Sequence, residues 1–108
     1  MVFTVPITIT QARKQRDMVE VALEFPSSHS LTVMLVQREA KGKVTRGENA
    51  GAVLRHVNVV RFMDTVAPGS GTVRLPLPSD GGPDFLVVAL AQSPTTLRIE
   101  GAALRPVE

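Results

Sequence analysis

The chain has 108 residues, no Cys, no Trp or Tyr, and a formal net charge of +2 from twelve Lys and Arg against ten Asp and Glu. That length fits one domain, residues 1–108, because two cores would each fall below the size that folds unaided. A content of 44% hydrophobic and 20% charged residues marks a packed chain rather than a disordered one, and zero Cys excludes thiol chemistry, disulfides and thiolate metal sites.

Side-chain alternation with period two dominates the sequence and predicts strands. Phe3, Val5, Ile7 and Ile9 alternate with Thr4, Pro6, Thr8 and Thr10, and Pro6 assigns this first strand to a sheet edge. Residues 11–16 read as a polar turn. Val19, Val21, Leu23 and Phe25 then alternate with Met18, Glu20, Ala22 and Glu24, completing an antiparallel hairpin. After the breaker at 26–30, residues 31–36 are nearly all apolar and predict a central strand covered on both faces.

A polar stretch, 41–51, leads into a strand at 53–63. There Val53, Arg55, Val57, Val59 and Arg61 would share one face, and Leu54, His56, Asn58, Val60 and Phe62 the other. A turn at Pro68, Gly69, Ser70 and Gly71 precedes a strand at 72–77. A second apolar run spans 85–91, and a last strand opens at Leu97 and Ile99 and ends near Leu104. About seven short strands between Gly, Pro and Ser turns predict an all-β antiparallel sandwich, and two strands apolar on both faces favour an immunoglobulin-like one.

Chemistry-bearing residues are sparse. His29 stands in a serine-rich turn beside Ser28, without the Gly-x-Ser-x-Gly elbow of a hydrolase nucleophile. Glu20 and Glu24 share a strand face but would lie roughly 13 Å apart, too far to act as an acid–base pair. Met18, Met34 and Met63 read as core filling rather than a soft-metal site. Arg13, Lys14 and Arg16 form the one dense basic cluster, read as a solvated hairpin tip because no aromatics interleave it. The expectation is therefore no enzyme, no cofactor, no metal, no nucleic acid and no membrane span, since no apolar run reaches the ~20 residues a helix needs. No basic-then-apolar secretion signal opens the chain.

The most distinctive stretch is Arg46-Gly47-Glu48-Asn49-Ala50-Gly51, followed by Arg55, His56, Asn58 and Arg61. Two glycines around Glu48 and Asn49 suit a pinned β-loop, and polar loops are where binding residues concentrate. Glu48, Asn49, Arg55, His56, Asn58 and Arg61 are accordingly the candidate binding residues. An alternative use is a small ligand- or metal-binding domain built on His56 with Asn58 or Met residues.

The same stretch resembles the β-rich part of domain-of-unknown-function family 1223, secreted bacterial proteins that look like a thioredoxin-like domain followed by a β-sandwich. The resemblance rests on Gly47-Glu48-Asn49-Ala50-Gly51, Leu54 and Asn58-Val59-Val60-Arg61. Generic matches follow at 73–78, 85–91 and 99–104. It implies a C-terminal accessory module, excised or naturally separate, that is periplasmic or secreted. The implied partner is a protein or a covalently attached thioredoxin-like domain, whose cysteines this chain lacks. An open sheet edge also admits a homodimer.

Overall fold

Every element follows from where alternation places its apolar side chains and where the phase of that alternation breaks. The structure, a computed structural model, describes residues 4–26, 28–39, 42–43, 53–54, 57–69, 71–79 and 84–108. The described residues contain strands and no helix: β1 (Thr8–Gln15), β2 (Met18–Glu24), β3 (Leu31–Glu39), β4 (Gly42–Lys43), β5 (Val53–Leu54), β6 (Val57–Val66), β7 (Thr72–Pro76), β8 (Phe85–Gln92) and β9 (Ile99–Pro106). Seven of them form two antiparallel sheets, β1-β2-β7 and β6-β3-β8-β9, while β4 and β5 pair with each other as a short ribbon.

The two sheets face one another across a single apolar core. Ile9, Ala12, Val19, Val21, Leu23 and Leu75 come from the three-stranded sheet. Leu31, Val33, Leu35, Val66, Phe85, Val87, Ala89 and Ala91 come from the four-stranded one. Burying each larger side chain of this set contributes about 1.5–3 kcal/mol. The result is the all-β sandwich that the alternation predicts.

Several boundaries differ from the sequence expectation. The first strand is not 3–10 followed by a turn at 11–16; β1 runs to Gln15, and Arg16 and Asp17 alone make the turn to Met18. A register shift between Ile9 and Gln11 resets the alternation, so Ala12 becomes the next core residue and the polar residues around it imitate a turn. Arg13 and Lys14 therefore belong to a strand rather than to a hairpin tip. Residues 4–7 are not part of a strand either: the amides of Thr4 and Val5 both donate to the Glu100 carbonyl at 2.9 Å, tying this segment to β9.

On β6 a second shift lies opposite Leu35 and Val36, where the register steps from the Leu35–Phe62 pair to the Val36–Val60 pair and Arg61 falls between them. Phe62 thereby turns to the core beside Leu35 instead of sharing a face with Asn58 and Val60. The strand extends to Val66 rather than Met63. Leu97, expected to open the last strand, is an exposed turn residue at φ 59°, and β9 runs on to Pro106. Finally, β3 is central but not covered on both faces. Its inner residues Leu31, Val33 and Leu35 are fully enclosed, whereas on the other side Val36 is buried but Thr32 and Met34 are only half-buried.

Candidate functional site

Because directly paired residues in antiparallel strands share a face, the register reads out the two outer surfaces row by row. On the three-stranded sheet two rows carry polar side chains, beside a third made of Gln15, Met18 and Pro76. Gln11, Ala22 and Thr72 form one, and Arg13, Glu20 and Arg74 the next. Glu20 stands between the two guanidinium groups, 4.0 Å from Arg13 and 3.4 Å from Arg74. A shallow groove beside these rows is lined by Gln11, Glu20, Val21, Ala22, Thr72, Val73 and Arg74. With its exposed charges paired to each other, this is a solvated face.

The outer surface of the four-stranded sheet is built differently. Met63, Met34, Val88 and Leu104 form a continuous row across β6, β3, β8 and β9. The next row is Val60, Val36, Leu86 and Pro106; on the other side lies Thr65, Thr32, Leu90 and Ala102. At the edges of this surface Met63 is 60% exposed and Leu104 68%, with Val60 at 53%. Met34, Leu86, Val88 and Leu90 between them are half-buried. Met63 and Met34 thus belong to an outer surface, not to the core filling expected of them. Contiguous apolar faces of this extent are rare on monomeric soluble proteins and mark contact surfaces.

A polar row closes one end of that face. Arg38 is opposite Asn58 on β6, and its amide donates to the Asp84 carbonyl at 2.9 Å. The Arg38 guanidinium also donates to Asp84 Oδ1, from Nη2 at 2.6 Å and from Nε at 3.0 Å. Behind this row Gln37 is the one buried polar side chain among the described residues, and its Oε1 accepts from Arg61 Nη1.

Of the six candidate binding residues, Asn58 lies exposed on this polar row and Arg61 is half-buried at the β6 bulge. Glu48, Asn49, Arg55 and His56 lie outside the described residues. His29 accepts or donates one hydrogen bond with Ser28 Oγ, at 3.1 Å from Nδ1, in an exposed loop. No group of three or more His, Cys, Asp or Glu among the described residues is placed to hold a metal ion. None of the described residues forms a helix long and apolar enough to cross a membrane.

The apolar face was missed at the sequence level, although its signal was present. Residues 31–36 and 85–91 are apolar on both faces, and in a two-layer sandwich only one of those faces can be internal.

Two packed antiparallel sheets, one with charged rows on its outer face and one with apolar rows, define an all-β sandwich. The chain matches the family described as protein of unknown function (DUF1223) over residues 2–92, and it belongs to that family. The match takes in β1 to β8 and stops at the last residue of β8, short of the β9 segment. No curated protein and no solved structure matches the chain.

Proposed function

We propose that this domain is a non-catalytic, immunoglobulin-like contact module that packs on another protein surface through the outer face of its four-stranded sheet. The observation that carries this reading is the row Met63, Met34, Val88 and Leu104, apolar across all four strands and most exposed at its two ends. Covering such a face releases about 25 cal/mol per Å² of apolar surface removed from water. The sheet order β1-β2-β7 against β6-β3-β8-β9, with the chain crossing between sheets after β2, β6 and β7, supports the immunoglobulin-like part of the proposal.

The setting proposed with it is periplasmic or secreted, with a covalently attached thioredoxin-like domain or a separate protein as the surface contacted, as the resemblance at Gly47–Gly51 and Asn58–Arg61 implies. Glu48, Asn49, Arg55 and His56 extend the proposed contact region on the strength of their sequence, next to Asn58 and Arg61.

The test is photo-cross-linking in cells that make the protein, with the reactive residue at Val88 and, as control, at Arg74 on the polar face. Val88 should yield a discrete cross-linked polypeptide and Arg74 should not. Equal yields from the two positions would remove the contact reading.

A further inference from the structure

We infer that the occupant of this apolar face is a second copy of the same chain, packed face to face about a two-fold axis that runs along the strands. The inference rests on the reading of the face as a contact surface and adds the identity of what covers it.

The sheet has an even number of strands in the order β6-β3-β8-β9, so an axis between β3 and β8 exchanges the two central strands and the two edge strands. Each apolar row then meets itself reversed. Met34 of one copy lies over Val88 of the other, and Met63 over Leu104. An isologous contact requires this kind of self-complementarity.

The polar row selects the same axis. Arg38 is on β3 and Asp84 leads into β8, so exchanging these strands places each Arg38 beside the Asp84 of the other copy. Their side chains are 41% and 44% exposed, which leaves both groups available to a second partner. The four charges alternate in sign around the end of the interface. An axis across the strands would instead lay the Arg38–Asp84 end of one copy on the Thr32 and Thr65 end of the other, with no charge to meet.

The area is adequate for a weak association. Four strands about 4.8 Å apart and four rows about 7 Å apart give on the order of 500 Å² per copy. The total, about 1,000 Å², reaches the lower bound of specific interfaces but falls short of the standard size, which points to a dimer of micromolar affinity.

The experiment is sedimentation of the full chain over about 1 to 500 μM. Wild type should shift from monomer to dimer within that range. Leu104→Glu, which places an unpaired carboxylate in the contact while leaving the core untouched, should weaken dimerisation at least about 30-fold. Arg38→Asp and Asp84→Arg should each weaken self-association about 10-fold or more, since each variant carries two like charges at that end. Mixing those two variants should restore the dimer, because the all-acidic end of one meets the all-basic end of the other.

A wild type that stays monomeric throughout overturns the second copy as occupant, as does a dimer that Leu104→Glu leaves intact. A mixture of the two charge variants that fails to associate overturns the two-fold along the strands. The Val88 cross-link separates this failure from that of the contact reading. Cross-linking to a different polypeptide removes the second copy and keeps the contact surface, whereas no cross-link above the Arg74 level removes both.

Discussion

A β-carbon on Gly101 would collide with the carbonyl oxygen of Val5, well inside the approach that real β-carbons show. The same carbon would lie 3.1 Å from Val5 Cβ and 3.2 Å from Ile7 Cδ1. Glycine is required here so that β9 can press against the N-terminal segment, whose Thr4 and Val5 amides both bond to the neighbouring Glu100 carbonyl. Gly101→Ala should therefore cost about 1–3 kcal/mol, because the obstacle is backbone and cannot rotate away. Urea unfolding of the variant checks it, and a loss below about 0.5 kcal/mol would mean that residues 4–7 do not lie against β9.

Arg16 is a second position where the backbone constrains the residue, with the opposite consequence. It occupies the first position of a two-residue hairpin loop at φ 60°, a left-handed conformation that costs an L residue about 1–2 kcal/mol. Glycine removes that cost and adds back some unfolded-chain entropy. Arg16→Gly should raise stability by about 0.5–1 kcal/mol, seen as a higher unfolding midpoint with an unchanged denaturant slope.

How far the sequence could be read follows from these same features. Alternation identified β2, β7, β8 and the two-layer class, because each of those strands keeps its phase through most of its length. It failed at Thr10 and Arg61, where one extra residue resets the phase and period-two counting assigns every later side chain to the wrong face. That is why 11–16 imitated a turn and why Phe62 was grouped with Asn58. The candidate site was less legible still. Polar residues in the glycine loop drew the functional reading, while the exposed face is made of Met, Val and Leu, which in a sequence look identical to core. Only the register, by pairing Met34 with both Met63 and Val88, shows those residues sharing a surface turned away from the core.

Neighbouring valines on β8 give a direct measure of that distinction. Val87 is fully enclosed between the sheets, and Val88 is half-buried on the outer face. Val87→Ala leaves a cavity that the packed sheets cannot close and should cost about 2–3 kcal/mol. Val88→Ala should cost less than about 1 kcal/mol at concentrations where the chain is monomeric. Equal losses at low concentration would mean that the outer face is already covered within the folded chain.

Asp84 offers the last test, in which a short ion pair should contribute little to folding. Its carboxylate holds Arg38 at 2.6 Å, yet both side chains are more than 40% exposed, so solvent and salt screen most of the attraction. The strand-to-strand link at this point is the backbone bond from the Arg38 amide to the Asp84 carbonyl, which a side-chain substitution leaves in place. Asp84→Ala should accordingly lower monomer stability by no more than about 0.5–1 kcal/mol, and the difference from wild type should shrink as salt is raised. Thermal unfolding of both proteins at low and high ionic strength measures this. A larger loss that salt does not diminish would show instead that the pair is sealed from solvent and fixes the end of β8 in the fold.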